Sequence, residues 1–117
     1  MVGSHSDIIL ADCAVRGINF DLETAYEISK KNGTLQGDTH GNFGREGILD
    51  YIDLGYVPTE KHDHAVSRTI DYALDDFGLA QMAKLLNKAD DYKLFGKRAL
   101  NYKNVFDESV GFMRGKT

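Results

Sequence analysis

The chain has 117 residues, a formal net charge of −4, 42% hydrophobic and 27% charged residues, the make-up of one ordinary globular domain. No basic stripe is available to neutralise phosphates, which excludes nucleic acid as a default partner. No apolar run approaches the roughly 20 residues that a membrane-spanning helix needs, so no membrane partner is expected. Cys13 is the only cysteine, so no internal disulfide can form, and residues 1–17 show neither the basic start nor the long apolar block of a signal peptide.

Residues 6–16 read as a short helix. Ser6 or Asp7 is placed to cap its first amides, Gly17 to take the left-handed position after its last turn, and Ile8, Ala11 and Val15 to face inward. Asp12 interrupts this apolar segment and needs a partner. A second helix is predicted over 22–31, with Asp21 as N-cap, Glu23 in the first turn, Lys30 and Lys31 in the last, and Gly33 as the stop. Residues 34–44 carry three glycines and no periodicity, so they read as a loop. Residues 45–54 read as a helix closed by Gly55, with Ile48, Leu49 and Ile52 on its apolar side. Arg45 then falls in the first turn, where a cation opposes the helix dipole. That cost points to a task beyond helix formation, such as gripping a carboxylate or a sugar hydroxyl; the alternative is an exposed arginine. Pro58 pushes Val57 into an extended connector.

Residues 64–87 have the longest unbroken helical pattern. Val66, Ile70, Ala73, Phe77, Ala80 and Lys84 follow steps of three and four, the spacing of one buried stripe. Asp71, Asp75 and Asp76 sit in the middle of it, where aspartate gains nothing from a helix end. Asp71 and Asp75 are four apart, share a face and repel. They form either a solvated acidic face or a carboxylate patch lining a polar cavity. A further helix is expected over 89–104, with Tyr92, Phe95, Ala99, Tyr102 and Phe106 along one side. The short break before it predicts an antiparallel hairpin with the preceding helix. Residues 107–111 read as a turn, and no strand is predicted. The fold class is therefore all-α, with about five helices in antiparallel hairpins forming one segment over 1–117.

Five motifs carry a resemblance. Met1-Val2-Gly3-Ser4-His5 looks like MVGDH. Ala11-Asp12 with Arg16-Gly17-Ile18 looks like ADAYxKGI. Gly44-Arg45-Glu46-Gly47 with Asp50-Tyr51 and then Leu54-Gly55-Tyr56-Val57-Pro58 looks like GREG…DY…LGYVP. The stretch SRTIDYALDDF over 67–77 looks like SxTLEYAYDDW, and Asn101-Tyr102-Lys103-Asn104 through Gly111-Phe112-Met113-Arg114 looks like NYxNLFDxxTGFMR. In this order and spacing they resemble glycoside hydrolase family 92, the calcium-dependent exo-α-mannosidases. The resemblance implies an arc of an (α/α)6 toroid, part of a catalytic domain whose β-sandwich lies upstream and whose general acid and base segments lie downstream. It implies metal-assisted, inverting hydrolysis of α-mannosides in the parent, including α-1,2-mannosides, and an inactive piece here. It assigns no catalytic or metal-binding residue to this chain and gives sugar contact to His5, Arg45, Asp71 and Asp75. Asp71 and Asp75 would face the toroid centre and be satisfied there by hydroxyls, water and Arg45, with Asp76 a structural acceptor near another helix end. Ser4 replaces the aspartate of MVGDH, Asp71 the glutamate of TLEY, and Phe77 a tryptophan. Calcium belongs to the intact family, and none is expected on this piece. Family members are often periplasmic or secreted.

Two other readings compete. A helical-repeat module binding a peptide or protein would use the 66–106 hairpin and a groove lined by Tyr92 and Tyr102. A small metal protein would need His5, His40, His62 and His64, with Asp38 beside His40, to converge through the fold, since none shares a helix face. An arc cut from a ring has raw apolar edges, which predicts self-association, helix exchange with a second copy, or collapse into a compact bundle unlike the ring.

Overall fold

Five α-helices order the residues that the computed structural model describes, 5–37 and 44–117: α1 (Ser6–Val15), α2 (Leu22–Thr34), α3 (Ile48–Leu54), α4 (Ala65–Leu85) and α5 (Ala89–Arg98). A 3₁₀ turn, Asn101–Val105, follows, and then a small antiparallel ribbon of β1 (Phe106–Asp107) and β2 (Phe112–Met113), in register Phe106 to Met113 and Asp107 to Phe112. Ser4, Asp38, His40 and the greater part of the predicted glycine-rich loop lie outside the described residues.

The all-α reading holds, and α4 is its axis. It packs against α1, α2, α5 and the 3₁₀ turn, and Tyr72 meets Tyr51 of α3 edge to face at 5.6 Å. A helix surrounded in this way is buried around most of its circumference: Thr69, Tyr72, Asp75, Asp76, Leu79 and Met82 are all fully buried. The predicted stripe therefore captured only part of the buried surface, and Phe77, placed on it, is half exposed. One hydrophobic cluster joins Ala11, Tyr26, Leu79, Met82 and Phe95, and a second joins Ile48, Tyr51, Val57, Ala65 and Tyr72. Grooves of about 590 Å³ between α4 and α5 and about 500 Å³ between α1 and α4 flank Phe77 and Gln81.

Several expectations change. His5, not Ser6 or Asp7, occupies the N-cap position of α1, because Asp7 is turned into the core. Val15, expected inside, is 61% exposed. Asp12 does find a partner, Arg16 at 3.0 Å, on the surface. Asp21 caps α2 as expected, accepting from the Thr24 amide. The helix nevertheless runs through Gly33, which lies against Leu79 and the Arg45 guanidinium where a side chain would intrude. Arg45 is not in a first turn, since α3 begins only at Ile48, and the dipole argument for it lapses. The last helix ends at Arg98, not at residue 104, and the β-ribbon was not expected; its backbone bond from Arg114 to Val105 is a contact that no local pattern signals.

The extended connector after α3 is fixed by Thr69. Its hydroxyl accepts from the Val57 amide at 2.9 Å and donates to the Ala65 carbonyl at 2.8 Å. Just before it, Gly55 closes α3 with φ +79°, and Asn104 donates to the Gly55 carbonyl at 2.9 Å. A Cβ on Gly55 would lie 2.8 Å from the Asn104 amide nitrogen. Gly55→Ala is therefore expected to cost about 1–2 kcal/mol through left-handed backbone strain and a displaced cap. The check is a lower urea midpoint at unchanged m-value; an unchanged midpoint would contradict this placement.

Candidate functional site

A buried network of charges joins the helices around the middle of α4. Asp76 is fully buried, and each of its carboxylate oxygens takes two partners. One oxygen accepts from Arg45 Nη1 at 2.7 Å and Arg98 Nη2 at 3.3 Å. The other accepts from Arg98 Nε at 3.1 Å and the Tyr51 hydroxyl at 2.9 Å. Arg45 extends the network to α1 through Nη2, 3.0 Å from Asp7, and Asn32 of α2 donates to the other Asp7 oxygen at 3.3 Å. Both guanidiniums also lie over aromatic rings, Arg45 over Tyr72 and Arg98 over Tyr51 and Phe95. Charges this dry persist only when paired and hydrogen-bonded. Burial alone would depress the Arg45 pKa, and the carboxylates of Asp76 and Asp7 outweigh it and hold the group above its ordinary value. Burial likewise holds the Tyr51 phenol above its ordinary value, and Asp76 adds to the effect.

The four predicted contact residues divide. Arg45 and Asp75 are buried, whereas His5 and Asp71 are half-buried and keep access to solvent. Arg45 was expected to satisfy Asp71 and Asp75. Its Nη groups go to Asp7 and Asp76 instead, because those two carboxylates reach it from α1 and from the inner side of α4. Among the described residues Asp75 has no hydrogen-bond partner on either oxygen, and Arg45 Nε is also without one. Asp76 is a structural acceptor, as expected, and Arg98 at the end of α5 supplies the helix end. Sequence reasoning missed Asp7, Tyr51 and Arg98. The available signal was Arg98 three residues after Phe95, on the buried side of α5.

Beside the network lies a polar hollow of about 420 Å³, lined by Gln36, Arg45, Glu46, Asp50 and His62 with Ile48 and Leu49. His62 does not pair with His64. Its Nε2 lies 2.9 Å from Asp50 and its Nδ1 3.7 Å from Glu46, while Lys61 and Arg68 hold the outer oxygens of the same carboxylates. Hydrogen bonds from His62, then Lys61, hold Asp50 below the usual carboxylate range. Among the described residues no group of three histidine, cysteine or acidic side chains comes together to hold a metal ion. The hollow offers acceptors and donors at a solvent-facing edge, with the buried charge network beneath it.

Removing one partner of a buried, hydrogen-bonded charge set is expected to cost about 3–5 kcal/mol. Asp76→Asn should therefore unfold the chain at far lower urea, while Asp71→Asn should stay within about 0.5 kcal/mol. Equal effects of the two would remove Asp76 from its central place.

Residues 1–117 match the glycosyl hydrolase family 92 catalytic domain. An α-mannosidase of family GH92 from Bacteroides thetaiotaomicron is 39% identical, with a TM-score of 0.88 over 99% of this chain and 15% of its own. The same enzyme solved with mannoimidazole gives a TM-score of 0.88 at 39% identity over 99% of this chain and 14% of that one. A GH92 inverting mannosidase from Bacteroides thetaiotaomicron VPI-5482 has a TM-score of 0.94 at 32% identity, over 99% of this chain and 16% of its own. An uncharacterised secreted glycosidase of Arthroderma benhamiae is 28% identical over 97% of this chain and 16% of its length. The chain thus spans about one sixth of the relatives it matches, and it belongs to the glycosyl hydrolase family 92 catalytic domain family.

Proposed function

We propose that this chain forms part of the sugar-facing wall of a family 92 catalytic domain that hydrolyses α-mannosides, and that it contributes contacts while other segments supply the reacting acid and base. The carrying observation is the match to an α-mannosidase solved with mannoimidazole, at 39% identity over 99% of this chain. Inverting hydrolysis needs a protonated carboxyl and a separate carboxylate that share access to water, roughly 6.5–9.5 Å apart. Asp75 and Asp76, the adjacent carboxyls of α4, have no access to water. Asp50 is tied by His62 and Lys61. None of these three has the freedom of a general acid or base.

In this reading His5 and Asp71 touch the sugar directly. α1 packs against α4, with Ile8 and Ala11 against Gly78, and His5 and Asp71 are the two contact candidates that keep access to solvent. Arg45 and Asp75 act from beneath. Arg45 anchors the segment that carries Glu46 and Gly47 at the edge of the hollow. The calcium of the intact domain would supply electrostatic stabilisation at the reacting sugar. The described residues of this chain do not fit a calcium cage.

The test is titration of the chain with α-1,2-mannobiose, with and without calcium, followed by amide resonances and product assay. Shifts confined to the surroundings of His5, Glu46, Asp50 and Asp71, with no mannose released, are expected. Release of mannose by this chain would overturn the division of labour. Shifts confined to the groove lined by Tyr92 and Tyr102 would favour the peptide-binding alternative.

A further inference from the structure

Asp75 stands out because the mannosidase reading gives it no reacting partner. It is fully buried, and neither oxygen has a hydrogen-bond partner among the described residues. A buried carboxyl without partners is costly as an anion and far less so as a neutral acid. Its surroundings decide which form is held. The groups acting on it are Arg45 before α3, Asp7 of α1, and Asp76 and Asp71 of its own helix. α5 brings Arg98, α3 brings the Tyr51 hydroxyl, and both are engaged by Asp76. Within the dry network the charges of Asp7 and Asp76 already balance those of Arg45 and Arg98, so an ionised Asp75 would leave one negative charge in excess.

α1 is the element that this excess would act on. Asp7, buried on α1, comes first among the like charges that act on Asp75, and it reaches the network through Arg45. One turn further along α4 from Asp75, Gly78 receives α1 so closely that a Cβ there would lie 3.2 Å from the Ile8 Cα. We propose that Asp75 is a proton-operated latch: the protonated carboxyl keeps α1 seated on α4, and ionisation favours its release.

The sign follows from linkage. Burial, the largest cause, pushes the Asp75 carboxyl up to about 8; Arg45 pulls it down, and Asp7, Asp76 and Asp71 push it further up. Against the ordinary value of 3.8 for a solvated carboxyl, the seated state holds an extra proton wherever opening brings Asp75 to water. The seat is tightest below about pH 4, loosens as pH rises, and stops changing above about pH 8.

Cys13 provides the readout, since it is half-buried on α1 in the α1/α4 groove. Thiol-labelling rates are measured for the native chain and for Asp75→Asn at each pH, and their ratio removes the thiol's own titration. The ratio is expected to rise, by at most about tenfold per pH unit, as pH approaches about 8 and then to level off. A ratio flat across this range would overturn the latch. The carboxyl carbon resonance of Asp75 in the native chain serves as a second measurement that needs no variant. An inflection near 8 supports the proposal, and one near 4 refutes it.

Discussion

The carboxylate of Asp76, held dry between two guanidiniums and a phenol, is the constraint on which the rest of the structure depends. Its partners come from three different places: Arg45 from the segment before α3, Tyr51 from α3 and Arg98 from the end of α5. Through Arg45 the same set reaches Asp7 on α1. Hydrophobic contact alone is non-directional and would let these helices slide on one another. Hydrogen bonds of fixed geometry between buried charges allow one arrangement, because any displacement strands an ion in a medium that cannot solvate it.

This base explains how the surface above it is organised. Glu46 follows Arg45 directly, and the Glu46 carbonyl accepts from the Tyr72 hydroxyl at 2.8 Å. Fixing the Arg45 guanidinium therefore fixes the backbone at the edge of the hollow that His62 and Asp50 share. Depth separates the side chains: Asp7, Tyr51 and Asp76 are buried and hydrogen-bonded to protein partners, whereas His5 and Asp71 are half-buried. On the opposite side of α4 the surface changes character. Leu74 and Phe77 are half exposed there between two apolar grooves, the kind of face that helices in a ring of pairs present to neighbours.

What was legible in the sequence was local. Asp21 announces α2 because its side chain meets an amide three residues on, and Gly55 announces the end of α3 because few other residues take its backbone angles. The order of α4 and α5, and their close pairing, follow from periodicity and a short break. What was not legible depends on contacts distant in sequence. Asp7 looks like an ordinary first-turn aspartate until Arg45, 38 positions away, reaches it. Arg45 looked like a helix residue with an unfavourable charge, whereas it is a loop residue whose charge is the reason for its place. The anomaly of three aspartates in one helix was visible, but their separate fates were not. Asp71 keeps access to water, Asp75 lacks a hydrogen-bond partner among the described residues and Asp76 has four donors, all within about one and a half turns of helix. Periodicity could not resolve them, because it assigns faces and not neighbours.

The central claim, that Asp76 and Arg45 act as one buried unit, is tested most directly by a double-mutant cycle on the urea stability of the chain, using Asp76→Asn, Arg45→Met and their combination. The account predicts a coupling of about 1–3 kcal/mol, so that the second substitution costs much less once the first is present. Strict additivity of the two losses would contradict it and would leave the fold resting on its apolar clusters alone.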